Sequence, residues 1–158
     1  LDQLWQSQLS TQLQETRLAF GGKTTHQKHL ADQDSVIYSY VKRLKESVLP
    51  ASGARIIVLH NSIGHDYIRL KTQYYLLPHN IWNFGVLPPT QDIHSVDYIL
   101  ALGDVPKLRY LSAEEFLVWE PNSRIKAKLV DTDSMGQLYR VMLSDSGTTD
   151  SAERTRQD

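Results

Sequence analysis

Apolar residues recur at intervals of four at the start of this chain, as Leu1, Trp5, Leu9 and Leu13, with Leu4 and Leu18 close to the same stripe. Glutamines and serines fill the rest, and that period predicts an amphipathic helix over residues 1–20, ended by AFGG at 19–22. Residues 23–34 are polar and read as a loop. A second helix follows, with Asp34 or Ser35 as its N-cap and Val36, Ile37, Tyr40, Val41, Leu44 and Val48 as its apolar face; Lys42, Arg43 and Lys45 lie outside it or near its end. Pro50, Ser52 and Gly53 close it.

The pattern then changes. Ile56 to Leu59 is a continuous, β-branched apolar run, as in a strand covered on both faces. A turn, HNSIGHD at 60–66, leads into a helix whose face is Ile63, Tyr67, Leu70, Tyr74 and Leu77, and Pro78 stops it. Ile81 to Phe84 reads as a short strand, residues 85–96 as a crossover with little helix, and DYILALGD at 97–104 as a second strong strand. Ser112 and Glu115 form a capping box ahead of Phe116, Leu117 and Trp119, which predicts a short helix. Ile125, Ala127, Leu129 and Asp131 alternate with charged residues; with Leu138, Tyr139, Val141 and Leu143 they predict a terminal antiparallel hairpin. The expected architecture is a three-layer α/β domain with a mostly parallel central sheet. Two helices precede the first strand, and the C-terminal hairpin extends one edge.

At 158 residues the chain is long enough for one core, so residues 1–143 are expected to form a single domain, helical up to residue 50 and sheet-forming from 54. From 144 on it is rich in Ser, Thr, Asp and Arg, the composition of a disordered tail. A formal net charge of −1 gives no electrostatic footprint for nucleic acid. No apolar run of about 18 residues is present to insert into a membrane. The absence of cysteine excludes disulfides, thiolate metal sites and cysteine nucleophiles. Leu1 is not an initiator residue, so the chain reads as an excised or processed piece.

The turn at 60–66 is the first candidate site. A strand ending before a glycine-bearing helix start presents backbone N–H groups and a helix dipole to an anion, which nominates Asn61, Ser62 and Gly64. The plainer reading is helix capping by Asn61 or Ser62. Neither GxGxxG nor GxxxxGK[ST] occurs, so no nucleotide cofactor is implied, and none of any kind is expected. The turn also resembles a G-x-S-x-G nucleophile elbow with His60 in place of the first glycine, but an α/β-hydrolase needs a histidine after its acid. No histidine follows Asp104, which leaves His65 or His79 only in an unfamiliar arrangement. For a metal, His26, His29, His60, His65 and Asp66 were the available ligands, and His60 and His65 are five apart, off the helical i,i+4 spacing. Asp104 and Asp131 end or follow predicted strands and would share a sheet edge with Asn61 and Ser62, where open α/β sheets bind ligands such as Mg²⁺, a ribose or a sugar. The alternative is that Asp104 caps a turn before Pro106 and Asp131 opens the hairpin.

IRLKTQYYLLPHNIW at 68–82, followed by VDYILALGD, is similar to a pattern in soluble domains of bacterial multi-spanning membrane proteins, the lipid-linked sugar transferases and their uncharacterised relatives. The matching positions of an R-x-x-Y-x-L-Y-P-like segment are Arg69, Tyr74, Tyr75, Leu76, Leu77 and Pro78; Leu77 stands where a tyrosine, and His79 where an arginine, is usual. The similarity covers about fifty residues and carries no catalytic residue over. It implies a non-catalytic accessory or binding domain on the extracytoplasmic side of a membrane, partnered by the rest of its parent or by another membrane protein. The rival expectation is a free-standing α/β enzyme or nucleotide- or sugar-binding protein using the edge around 60–66 and 104. Self-association through the first helix is a third, set against packing of that helix on its own sheet.

Overall fold

The computed structural model describes residues 2–30, 34–61, 66–89, 91–119 and 123–142. The tail expected from 144 lies outside them, as do Ser62 and Gly64. Helices α1 (Asp2–Phe20), α2 (Thr25–Leu30) and α3 (Ser35–Ser47) come first, so three helices precede the sheet, the extra one lying within the stretch expected to be loop. There follow β1 (Arg55–His60), α4 (Asp66–Leu76), β2 (Asn80–Gly85), β3 (Tyr98–Leu102), β4 (Arg109–Leu111), β5 (Phe116–Trp119), β6 (Ser123–Asp133) and β7 (Gly136–Val141).

The fold is α/β with one seven-stranded mixed sheet in the order β2-β1-β3-β7-β6-β5-β4. Among the described residues β1 runs parallel to β2 and β3, and the other four strand pairings are antiparallel. The expectation of a mostly parallel sheet is therefore corrected, and the cause is in the connections. A parallel neighbour needs a crossover of a dozen residues or more, which α4 and the 86–97 loop supply. The chain passes from β3 to the far end of the sheet, and from β4 to β7 consecutive strands are joined by connections too short for a crossover, so each pairs antiparallel with the next, β7 returning to lie beside β3. The β6–β7 hairpin forms as expected, but it does not extend an edge: β7 pairs with β3 in the middle of the sheet.

Burial divides by face. Ile56, Val58, Leu100, Leu102 and Leu138 meet Ile37, Tyr40, Val41 and Leu44 of α3 and Tyr75 and Leu76 of α4. The opposite face, with Ile57, Leu59, Ile99 and Tyr139, is covered by Leu117, Trp119, Ile125 and Ala127 from the far strands and by Val86, Leu87 and Ile93 of the crossover. Helices thus cover one face, and the sheet's own curled half covers the other, in place of the second helical layer that was expected. β6 makes the curl possible: its first half pairs with β5 and its second with β7.

Two local signals were overridden. The capping-box segment is a turn, with Glu115 at φ 56°, and Phe116–Trp119 is a strand held between β4 and β6. Cross-strand pairing on both sides outweighs a cap worth about 1 kcal/mol. On α4 the buried side chains are Thr72, Tyr75 and Leu76, whereas Tyr67, Leu70, Tyr74 and Leu77, read as the core face, are exposed. Buried Asp34 takes a hydrogen bond from Tyr75 at 2.5 Å and an ion pair from Lys71 at 2.9 Å. Those two residues, one helical turn apart, must face inward together, and the hydroxyl-rich Tyr/Leu stripe turns out.

Candidate functional site

The sheet register sets the C-terminal edge of the parallel strands. His60 lies beside Leu102, Leu102 opposite Gly136, and Gly136 opposite Asp133. Asn61 and Asp104, just beyond β1 and β3, therefore sit on one edge as expected, and both are exposed. Gly103, at φ 66°, donates its N–H to Met135 O at 2.9 Å and so ties the end of β3 to the hairpin turn. Gly136 is required there for a different reason: a methyl group would overlap the Ala101 carbonyl oxygen and lie 3.2 Å from its carbon.

Asp131 reaches this edge by a bulge. Leu129 pairs with Tyr139 but Asp131 with Leu138, so Val130 is an extra residue and Asp131 turns onto the helix face. There both its oxygens are taken by Arg43 of α3, at 2.5 and 3.0 Å, and the same guanidinium reaches Asp133 at 3.0 Å. Asp131, named above as a candidate edge carboxylate, is here engaged by Arg43 and fastens the hairpin to α3. The hydrogen bond to Asp131 raises the Arg43 pKa against the opposing effect of burial. Hydrogen bonds from Ser134 and the Met135 backbone, with the Arg43 charge, hold Asp133 below the usual carboxylate range.

Beside this triad, the first half of α3 and the hairpin turn enclose a groove of about 470 Å³. Ser35, Ser39, Tyr40 and Arg43 line one side, Asp133 and Met135 the other, with Leu30 and Val36 as further apolar wall. Burial, and then the Asp131 charge, push the Tyr40 hydroxyl well above its ordinary range.

A second polar cluster joins the helices. Asp34 is fully buried before α3 but makes no side-chain cap bond, because its carboxylate is held by Tyr75 and Lys71. Burial alone would raise its pKa; the Tyr75 hydrogen bond, with the bond and charge of Lys71, outweighs that and leaves the carboxylate below its usual range. His29 lies 3.3 Å from the Tyr75 hydroxyl, and His26 is 2.8 Å from that of Tyr38. The Tyr38 and Tyr75 rings meet edge to face at 5.2 Å. His26 and His29 are thus occupied in fastening α2 to α3 and α4.

The hydrolase arrangement loses one of its remaining histidines. His79 is buried at the opposite edge, where it accepts the Ala54 N–H at 3.3 Å. The six-residue β1 separates that edge from the 60–66 turn, about 20 Å at strand rise. His94 is at the far edge too, bonded to Arg55, whose guanidinium also contacts Asp97 and stacks on Trp82. Among the described residues no three His, Asp or Glu side chains converge to hold a metal, and no helix is long and apolar enough to cross a membrane.

The surface that periodicity alone misassigned is the outer face of α4. Tyr67, Leu70, Tyr74 and Leu77 are 54%, 55%, 60% and 54% exposed and follow at 3-4-3 spacing. Along helix α1, Trp5, Leu9 and Leu13 are exposed, and no contact of the helix with the sheet is prominent among the described residues. Comparison of the chain with protein-family models, with curated proteins and with solved structures finds no match.

Proposed function

We propose that this chain is a non-catalytic binding domain, an accessory part of a larger bacterial membrane-associated protein, which docks on another polypeptide surface through the outer face of α4. The observation that carries this reading is the 3-4-3 row of Tyr67, Leu70 and Tyr74 on α4 and Leu77 just after its end, each more than half exposed, on a helix whose other face is already packed. Such spacing is how an amphipathic helix presents its anchors to a groove, and clustered large apolar side chains on a surface mark interaction sites. Burying a side chain of this kind is worth about 1.5–3 kcal/mol, so four can offset a substantial association cost.

A polypeptide suits this face better than a lipid surface. Of the two cations on α4, Lys71 is paired with buried Asp34 and Arg69 is half-buried, whereas helices that lie on anionic membranes keep a basic polar face. The segment that carries the resemblance to membrane-protein domains is α4 itself with the start of β2, which supports the accessory reading. Enzymatic use of the sheet edge has less support, since Asp131 is committed to Arg43.

The test is Leu70→Glu with Tyr74→Glu in the native gene product. The melting temperature of the isolated chain is expected to change by only about 1–2 °C, because both positions are exposed. In the full product, protection of Tyr67 from hydroxyl-radical oxidation should be lost in this variant. Unchanged protection would reject the α4 docking face.

A further inference from the structure

Helix α1 runs for 19 residues, about 28 Å, and contributes no side chain to either face of the core. From Trp5 to Leu18 every side chain along it is exposed. Glutamine, serine and threonine fill the positions between its leucines, and most helical stability in proteins comes from packing an amphipathic face. Such a face exists here. Trp5, Leu9 and Leu13 follow at intervals of four and are 63%, 48% and 64% exposed, so among the described residues nothing covers the row.

Charge identifies what fits it. From Gln3 to Gln14 the helix carries no ionisable side chain, so it lacks the basic face with which a helix lies on an anionic membrane. Its charged residues are Asp2, Glu15 and Arg17. Asp2 stands seven positions before Leu9 and Arg17 four after Leu13, spacings that return to the same helix face. Glu15, two positions from Leu13, falls on the other side. The row is thus bounded by an acid about 10 Å before Leu9 and a base about 12 Å after it. These near-equal distances make the face complementary to itself when two copies run antiparallel about Leu9. Trp5 of each copy then meets Leu13 of the other, and each Asp2 comes level with the other copy's Arg17. Parallel copies would set Asp2 against Asp2 and Arg17 against Arg17. The antiparallel sense also aligns the two helix dipoles favourably. A contact about 28 Å long and one helix wide is at the small end of specific interfaces, which fits a reversible pair.

We propose that α1 is a self-association surface, pairing antiparallel with α1 of a second copy of this chain. The contact is the same patch on both copies, so it closes at a two-fold dimer. The inference is independent of the α4 docking face and can fail without it. The experiment is sedimentation equilibrium of the full chain from about 1 to about 500 μM, a range that brackets micromolar dissociation constants. The average mass is expected to climb from 18.1 kDa toward twice that value. Leu9→Glu should stay at 18.1 kDa throughout, and Leu70→Glu on α4 should associate as the native chain does. Asp2→Arg turns both end pairs repulsive and should weaken association about tenfold, and adding Arg17→Asp should restore it. Four results would overturn the proposal. They are a native chain still monomeric at the highest concentration, which would assign the row to a different protein; a mass that passes the dimer; association that survives Leu9→Glu or is lost in Leu70→Glu; and an Asp2→Arg variant that pairs as tightly as the native chain.

Discussion

Replacing Arg43 by methionine removes the clamp between α3 and the terminal hairpin while keeping most of the side chain's packing volume. Asp131 would then remain on the helix face at 11% side-chain exposure, with both of its hydrogen bonds from Arg43 gone, beside buried Leu138. Breaking a fully buried pair costs about 3–5 kcal/mol, and exposed pairs are worth about 0.2–1 kcal/mol. Arg43 is itself 39% exposed, so solvent screens its side of the pair and the expected loss lies between those limits, at about 2 kcal/mol. For a chain of this size that is a fall of about 4–8 °C in melting temperature. Urea unfolding followed by circular dichroism measures it, and a double-mutant cycle with Asp131→Asn isolates the pair. The coupling should be about 1 kcal/mol or more, and one molar salt should reduce it only in part. A loss below about 0.5 kcal/mol in Arg43→Met, or a coupling that vanishes in salt, would show a surface pair and refute the reasoning.

Gly136→Ala is expected to destabilise by about 3 kcal/mol or more, because the new methyl meets the backbone of Ala101 and Leu102 and not a yielding side chain; thermal melts check this, and a native-like Tm would contradict the close approach. Asp34, with its pKa depressed below the ordinary 3.8, contributes stability that is present above that value and lost as pH falls through the folded value. Lys71, raised above 10.5, contributes stability present below 10.5 and lost as pH rises through its folded value. Asp34→Asn should flatten both ends of a stability-against-pH curve, and an unaltered curve would dismiss the pair as a determinant. Burial, and then the charge of Lys45, lower the pKa of His79, so the unfolded chain takes up its proton first and stability should decline as pH falls through about 6.5. His79→Asn should remove that part of the slope, as read by urea titrations across the range.

How much of this was legible depended on whether local sequence or a distant partner decided the outcome. Ile56 to Leu59 announced itself as a strand covered on both faces because four consecutive apolar residues leave no face for water, and all four are buried. The shared edge of Asn61 and Asp104 followed from the parallel β1–β3 pair that a crossover allows. By contrast, the inward face of α4 is set by Asp34, 37 residues before Lys71, and nothing in the helix's own period reports it. Asp131 was placed near the edge, but its partner Arg43 is 88 residues away. The bulge at Val130 reverses the alternation that Ile125, Ala127 and Leu129 display. The short Phe116–Trp119 strand carried both a helix-start signal and aromatic, β-branched composition; pairing with two neighbours resolved it. Tyr40 was read as a core residue from its spacing, and that its hydroxyl finds no hydrogen-bond partner among the described residues could be seen only in three dimensions.

The docking face is tested most directly by hydroxyl-radical footprinting of the tyrosines, in the isolated chain and in the full native gene product. Tyr67 and Tyr74 are exposed in this structure, while Tyr98 and Tyr139 are buried and serve as internal references. Oxidation of Tyr67 and Tyr74 should be strong in the isolated chain and fall severalfold in the full product, with Tyr98 and Tyr139 low in both. Equal oxidation of Tyr67 and Tyr74 in the two preparations would contradict the account, because the outer face of α4 would then be open to water in the assembled protein.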